Sequence, residues 1–231
     1  MTAATGIGRA ESASQVSTFV VQEAEHSAPL LRIEERHSQV GADVVQERRY
    51  LHLKNAVAGS ETVRLRGAAQ QLAAYEFEDL GSGERVELKV DGDKATAQYR
   101  PAKDAEVKSK ELPWGPNAVT GNLLPALITK QWATLDAGKT IDCDLFVPFR
   151  LETIGFRVQR TAKSDSDKTV TITADASNWL IRQFAPAIHF VYSTETPPRL
   201  LRYQGPAPVK IDGETVNSVV IDFRTSPLAA R

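Results

Sequence analysis

The sequence has few residues that form covalent cross-links and no excess of charge of either sign. Its 231 residues include one cysteine, Cys143, so an internal disulfide and a thiolate metal cluster are both excluded. Lysine and arginine number 28 against 29 acidic residues, and this near balance produces no overall field that would attract nucleic acid or an anionic membrane. A chain of this length can still bury a core large enough to fold without cross-links.

Long apolar runs are also missing. No stretch of about 18 apolar residues occurs, so no membrane span is predicted. Residues 1–13 form a predicted loose tail, and they lack the basic start and the apolar region of a signal peptide. If Met1 is native, we expect a cytoplasmic protein. If an export signal has been trimmed, we expect the periplasm or the cell envelope.

The common catalytic and nucleotide-binding signatures are absent. No GxSxG, HExxH or CxxC pattern occurs, which removes the usual hydrolase, zinc protease and redox signatures. Gly6-Ile7-Gly8 lies in the tail with no strand before it, and the stretch from Gly115 to Gly121 lacks the Gly-Lys-Ser/Thr ending of a phosphate loop. The sequence therefore predicts no cofactor.

One segment has the apolar period of an amphipathic helix, from Asn122 to Leu135. Asn122 is the predicted N-cap, and Pro125 then falls in the first turn, where its missing N–H costs little. Gly138 suits the left-handed position that ends such a helix. The predicted buried stripe consists of Leu123, Leu124, Leu127, Ile128, Trp132 and Leu135.

Most of the remaining chain alternates apolar and polar residues, as strands with one buried face do. A charged hairpin is predicted at residues 31–53, another around the Asp91-Gly92 turn, and further strands between residues 141 and 223. Residues 178–184 predict a short helix. The alternation is weak at residues 55–71 and 101–112, so we expect irregular structure in the first and a solvated excursion in the second.

This pattern predicts a mainly β (α+β) fold. We expect one strongly curved antiparallel sheet, or half-barrel, wrapped around the single helix near residues 122–135. Because no repeat and no long linker occurs, residues 14–231 are predicted to form a single domain. A sandwich with an external helix is the alternative, since alternation shows which residues face inward but not which sheet they join.

The second half of the chain resembles a known family. The turn Gly138-Lys139, the segments DCDLFVPF and ETIGFRVQR, and the later run from NWLIRQF through IHFVYSTETPPRLLRYQGPAPV are similar to the bacterial family of unknown function numbered 3108, over roughly residues 117–209. The resemblance implies an exported protein with a half-barrel like that of the lipoprotein carriers, in which a curved antiparallel sheet closes over helices and an apolar groove. It further implies a cell-envelope module that binds a hydrophobic ligand or another protein.

Histidines on neighbouring predicted strands are one candidate for a metal or acid–base site. His37 and His52 lie in the two strands of the charged hairpin, near Glu34, Glu35 and Glu47. No pair has metal-ligand spacing on one element, so a solvated polar face is the favoured interpretation and no metal site is predicted.

Two other groups of residues have a structural interpretation that we favour over a functional one. Cys143 alternates in register with apolar neighbours, which predicts burial and not a role as nucleophile. Arg182, Arg199 and Arg202 would form a small basic patch able to hold an anion, unless they pair with nearby acidic residues, as is favoured here.

Aromatic side chains concentrate in the half of the chain that would line the concave face. We predict that this face binds an apolar ligand. Periodicity alone does not show whether these side chains fill the hollow or leave it empty. The predicted ligand-binding residues are Leu127, Trp132, Phe146, Phe156, Phe190 and Tyr203.

Three functions remain open from the sequence. The favoured one is a non-enzymatic module that holds a lipid or another apolar small molecule in the concave face. The second is a structural or assembly protein that binds a protein partner through an apolar surface patch and has no ligand. The third is a cofactor-free enzyme acting on a small apolar substrate, which needs an inward-facing titratable group. The candidates for that group are Glu152, His52, Asp144 and Tyr203.

Overall fold

The strands of this protein join into one sheet. The computed structural model describes residues 16–25, 28–183 and 185–223, so the tail predicted at residues 1–13 lies outside the described part. Within these ranges the sheet has 15 strands. In chain order they are β1 (Val16–Glu23), β2 (Pro29–Val40), β3 (Asp43–His52), β4 (Val57–Arg66), β5 (Gln71–Asp79), β6 (Arg85–Asp91), β7 (Lys94–Arg100), β8 (Lys108–Pro113), β9 (Ala118–Val119), β10 (Ile141–Val147), β11 (Glu152–Ser164), β12 (Thr169–Ala176), β13 (Ile188–Ser193), β14 (Leu200–Gly205) and β15 (Val219–Asp222).

Pairing follows the order of the chain with one important exception. β1 pairs with β15, which brings the first and last strands together in the middle of the sheet. β8 and β9 are therefore the two edges, although few residues separate them along the chain. All pairs are antiparallel except that between β9 and β10. The curved antiparallel sheet predicted from the sequence is confirmed, and the sandwich alternative is wrong for the described residues.

The sheet curls until its two edges approach one another. The ring of Trp114, which directly follows β8, lies edge-on to the ring of Phe146 in β10, with centroids 6.4 Å apart. β7 contacts the 3₁₀ turn Pro148–Arg150 that follows β10. Because β8 and β9 do not pair with each other, the result is an open barrel with a concave inner face.

The predicted helix is present, but it is broken. A 3₁₀ turn at Gly121–Leu123 leads into α1 (Leu124–Lys130), and after Gln131 the chain continues as α2 (Trp132–Asp136). The backbone of Gln131 leaves the helical region, with φ of −100° and ψ of 17°, which separates the two helices. A further short helix, α3 (Trp179–Arg182), confirms the helix predicted there, while Phe184 lies outside the described residues.

The start of α1 differs from the prediction. Asn122 is not the N-cap; its side-chain oxygen instead accepts a hydrogen bond from the Thr120 hydroxyl at 2.6 Å, and Leu123 takes the cap position. The preceding 3₁₀ turn shifts the N-cap, and with it the helix start, by one residue. Pro125 still falls in the first turn, and Gly138 has the predicted left-handed backbone, with φ of 76°.

The apolar stripe of the helical segment packs into the core. Leu124, Ile128 and Leu135 are fully buried, whereas Leu127 and Trp132 are half-buried against the same cluster. The Trp132 ring lies 5.3 Å from that of Tyr192 in β13, whose hydroxyl donates to the Pro125 carbonyl at 3.1 Å. The helices are thus bound to the C-terminal half of the sheet.

Two strands were missed because they lack ordinary alternation. β4 places Gly59 and the buried carboxylate Glu61 where apolar residues would be expected on an inward face. β8 is an edge strand in which Leu112 alone is buried, so its sequence resembles a solvated loop. The prediction of irregular structure at 55–71 is therefore wrong for the residues of β4, and the prediction of a solvated excursion at 101–112 is wrong for the residues of β8.

Candidate ligand-binding cavity

A cavity of about 750 Å³ lies inside the curved sheet. Small-molecule sites typically occupy about 300–1,000 Å³, so the volume is that of a binding site and not of a packing defect. Phe149 lines the cavity and is 67% exposed, which places it where the cavity meets solvent. The lining comes from both halves of the sheet, and the two halves contribute different chemistry.

The C-terminal wall, formed by β10–β15 and their connections, is largely apolar. A bulge between β13 and β14 lets Leu200 and Tyr203 line the same cavity despite their odd spacing. The Tyr203 hydroxyl donates to the Pro206 carbonyl at 2.9 Å, and burial raises the pKa of this phenol, which therefore stays neutral. The apolar and aromatic residues of this wall are Leu145, Phe146, Pro148, Phe149, Ile188, Phe190, Leu200, Tyr203, Ile221 and Phe223.

The N-terminal wall, formed by β2–β6, carries a row of charges. Strand register sets Glu35 opposite Arg48 and Arg48 opposite Glu61, so the three side chains form what we call the Glu–Arg–Glu row. The Arg48 Nε donates to Glu35 Oε2 at 2.5 Å, and its Nη1 lies 3.6 Å from Glu61 Oε2. All three residues line the cavity. One guanidinium therefore serves two carboxylates in a partly dehydrated wall.

Two tyrosines complete the surroundings of Glu61. The Tyr50 hydroxyl donates to Glu61 Oε2 at 2.9 Å. Burial and the nearby charge of Glu61 raise the pKa of both Tyr50 and Tyr75 well above the ordinary value. Both phenols therefore stay neutral beside this carboxylate.

The outer carboxylate of the row, Glu35, is ionised. Burial tends to raise the pKa of Glu35, but the charge of Arg48 and hydrogen bonds from His37 and Arg48 outweigh it, so the pKa lies below its ordinary value. His37 reaches this carboxylate at 2.8 Å and has half of its side chain exposed. Burial alone would lower the pKa of Arg48, yet Glu61 and Glu35 raise it. At neutral pH Glu35 and Arg48 are therefore both charged.

The connection between β14 and β15 links the two walls. Asp79 accepts hydrogen bonds from the backbone N–H groups of Ser82 and Lys210, both at 2.8 Å, and the Lys210 Nζ lies 3.3 Å from Glu84 Oε2. Beside these bonds, a Cβ on Gly59 would lie 2.8 Å from a methyl group of Val209. The absence of a side chain on Gly59 therefore allows this segment to pack on the N-terminal wall.

The predicted ligand-binding residues divide into two sets. Phe146, Phe190 and Tyr203 line the cavity, and their role in ligand binding stays a prediction. Leu127, Trp132 and Phe156 do not line it; they pack in the main hydrophobic core. The aromatic residues of the second half are therefore shared between the cavity wall and the core behind it.

Of the residues considered for acid–base or metal chemistry, His37 and Glu35 are in contact at 2.8 Å, but the two histidines are not brought together. His37 pairs with Gln46 and His52 with Leu31, so the two histidines lie far apart along the hairpin. Among the residues that the structure describes, no group of three or more His, Cys, Asp or Glu side chains is arranged to hold a metal ion. Of the proposed inward titratable groups Glu152, His52, Asp144 and Tyr203, the last alone lines the cavity.

The structural interpretations of the cysteine and the arginines are confirmed. Cys143 is buried, and burial, together with Asp144 and Asp142, raises the pKa of its thiol to about 12, which removes its nucleophilic form at neutral pH. The arginines pair with acidic residues and do not form a free basic patch. The pairs are Arg182 with Asp175, Arg199 with Glu195 and Arg202 with Asp222.

The polar half of the site was not predicted. Glu35, Arg48 and Glu61 lie on strands whose charges suggested a wet outer face, and β4 was not recognised as a strand. One signal was available, because Glu35 continues the inward alternation of Leu31 and Ile33. A carboxylate that extends an apolar face indicates a buried polar site when a partner lies on the neighbouring strand.

Comparisons with known proteins add no family and no activity. No protein-family model matches the chain, and no curated protein matches it. A search of solved structures finds the crystal structure of a β-barrel-like protein of the domain of unknown function DUF1849 from Brucella abortus, with 10% sequence identity, 90% of this chain and 94% of that chain covered, and a TM-score of 0.47. In the described residues no helix is long and apolar enough to cross a membrane. The open barrel of this chain is established by its own strand order, and its resemblance to family 3108 stays a prediction.

Proposed function

We propose that this protein is a non-enzymatic binding module that holds a lipid or another apolar small molecule in its cavity. The observation that carries the proposal is the combination of a volume of about 750 Å³ with an aromatic and aliphatic C-terminal wall. The resemblance to family 3108 adds a lipoprotein-carrier-like role, and on that resemblance alone we propose the cell envelope as its compartment.

The physical support is the surface that an apolar guest would remove from water. Phe190 and Tyr203 present their rings to the cavity, and these rings already contact each other edge-on, with centroids 5.6 Å apart. An apolar molecule in contact with this wall gains about 25 cal/mol for every Å² that it withdraws from water. Phe149 at the exposed rim would be the first side chain that such a molecule meets.

The test is to ask whether the protein carries or takes up such a molecule. Native mass spectrometry and extraction of the purified protein into organic solvent would show a lipid-like adduct near one per chain. Uptake of the neutral fluorophore N-phenyl-1-naphthylamine would show the same cavity in a protein that purifies empty. A protein with no adduct and no uptake would refute the proposal and favour the interaction-protein alternative.

A matched pair of variants connects uptake to the cavity. Ile188 and Ile154 are both half-buried and both pack on the main core, but Ile188 alone of the two lines the cavity. We expect Ile188→Trp to weaken fluorophore binding about tenfold or more, because the larger side chain occupies the guest's volume, and Ile154→Trp to leave it unchanged. Equal binding by the two variants would place the bound fluorophore elsewhere.

A further inference from the structure

The charges that line the cavity are unevenly balanced. Among the residues that the structure describes, four carboxylates contribute to its wall, and two cations, Arg48 and Lys210, counter them. The carboxylates belong to Glu35, Glu61, Asp79 and Glu84. A cavity that is poorly hydrated discriminates strongly by the charge of its guest, because Coulomb interactions are weakly screened there. The sign of this imbalance therefore bears on which molecules the cavity accepts.

Both cations already have partners in the wall. Arg48 lies between Glu35 and Glu61, and Lys210 lies beside Glu84. An incoming carboxylate or phosphate would compete with these side chains for the same guanidinium and ammonium groups. It would also add a negative charge beside carboxylates that cannot move away. Among the described lining residues neither cation is without a carboxylate partner, so charge and competition for these two cations both disfavour anionic head groups.

A tyrosine donor of the N-terminal wall is committed in the same way. The Tyr50 hydroxyl donates its one proton to Glu61 and has no second proton to give. An ionised carboxylate, in contrast, offers about four lone-pair sites across its two oxygens. Glu35 and Glu61 therefore offer acceptor capacity to a guest, and the Tyr50 hydroxyl offers it no donor.

We infer that the cavity selects apolar molecules that end in a hydrogen-bond donor, an amine or an alcohol, and rejects those that end in a carboxylate or a phosphate. The donor end contacts the Glu–Arg–Glu row, and the apolar body lies against the C-terminal wall. An ammonium also offsets the excess negative charge of the row, so it binds more tightly than a hydroxyl. This inference rests on the proposed function, since it names the chemistry of the guest in the same cavity.

The test uses four probes with the same ten-carbon chain. Decylamine, decan-1-ol, 1-methoxydecane and decanoate differ at the polar end alone, and each would be measured by displacement of N-phenyl-1-naphthylamine. We expect decylamine to bind at least about tenfold more tightly than decanoate, as charged hydrogen bonds in a dehydrated site allow. We expect decan-1-ol to bind roughly threefold more tightly than 1-methoxydecane, because the ether cannot donate.

Two glutamate variants test whether the Glu–Arg–Glu row causes the preference for decylamine over decanoate. Glu61→Gln removes one negative charge while keeping the shape, and we expect the ratio of decylamine to decanoate affinity to fall at least about threefold. Glu35→Gln, at a less buried position, should act in the same direction and serves if Glu61→Gln does not fold. Glu76→Gln, an exposed position on β5 outside the cavity, is the matched control and should leave the ratio unchanged.

The outcomes separate this inference from the proposed function. Tight binding of all four probes with no preference, or with decanoate the tightest, would overturn the inference and leave the binding function in place. A preference that is undiminished in both glutamate variants would also overturn it, since the row would not be its cause. Failure of every probe and of the fluorophore to bind would overturn both. The expected ranking, weakened in the two variants and kept in Glu76→Gln, supports the inference.

Discussion

The two walls of the cavity use the same strand geometry and carry opposite chemistry. On the C-terminal wall, inward positions such as Phe146 and Phe190 are apolar, and α1 packs behind them. On the N-terminal wall, the inward positions of three neighbouring strands hold Glu35, Arg48 and Glu61. Alternation along a strand therefore predicts which side chains face inward, but it does not predict that they are apolar. A charge can face inward when the next strand places its partner directly opposite.

The two walls of the cavity are also stabilised in different ways. The C-terminal wall gains stability mainly from apolar burial, whereas the N-terminal wall must compensate the cost of partly dehydrating three charges. Truncating a side chain of the C-terminal wall leaves an empty space. Truncating a charged side chain of the N-terminal wall leaves its charged neighbour without a partner. The predictions below test that distinction.

The largest effect is expected in the C-terminal half, at the core face of α1. Ile128 is fully buried, so Ile128→Asp places a carboxylate with no partner in the core and should lower the free energy of unfolding by about 4 kcal/mol or more. Ala126→Asp puts the same charge on the exposed face of α1 and should change it by less than about 0.5 kcal/mol. Urea unfolding measures both. If both variants lost similarly little free energy of unfolding, the apolar stripe of the helix would not be buried.

The next effect is expected at the centre of the N-terminal wall. Arg48→Met removes the cation that serves two carboxylates, and breaking such a buried arrangement from one side should cost about 3–5 kcal/mol. Arg49→Met, on the neighbouring position, removes an exposed arginine that lies 3.8 Å from Glu34 and should cost less than about 1 kcal/mol. Unfolding free energies from denaturant titration would compare them. Equal costs would mean that the row contributes no more than a surface ion pair.

The smallest effect is expected in the acid dependence of stability. Because the folded-state pKa of Glu35 lies below its ordinary value of 4.5, its ionisation stabilises the fold above that pH, and this contribution is lost as the pH falls through the lowered value. Glu35→Gln should therefore be less stable than the native protein near neutrality, and the difference should shrink as the pH drops below about 4.5. Thermal unfolding across that range is the measurement. If the stability difference between the native protein and Glu35→Gln did not change with pH, the lowered pKa of Glu35 would be wrong.

Much of the local structure was predictable from short stretches of sequence. The charged hairpin, the Asp91-Gly92 turn and the burial of Leu124, Ile128 and Leu135 follow from periodicity and turn chemistry, and the structure confirms them. The N-cap at Asn122 was wrong because a 3₁₀ turn precedes α1, and β4 was missed because its inward residues are a glycine and a carboxylate. Both errors occur where the local pattern yields to tertiary contacts.

The candidate site was half predictable. The clustering of aromatic residues in one part of the chain identified Phe146, Phe190 and Tyr203. Aromatic residues at alternate positions of neighbouring strands face the same side of a sheet. Trp132 and Phe156 carry the same sequence signal, yet they pack in the core. Which aromatic residues face the space and which fill it depends on the curvature of the sheet, and no periodicity encodes that curvature.

The sequence by itself determined most elements of this protein: the majority of its strands, its helical segment and the turns that allow a positive φ, since these depend on residues close together in the chain. Only the tertiary structure decided three further features, which are the pairing of β1 with β15, the cavity of about 750 Å³ and the Glu–Arg–Glu row. Each of these arises from register and curvature across many strands. Arg48 meets Glu61 because two strands align at one register, and a shift by one residue would turn one of the two side chains to the outer face.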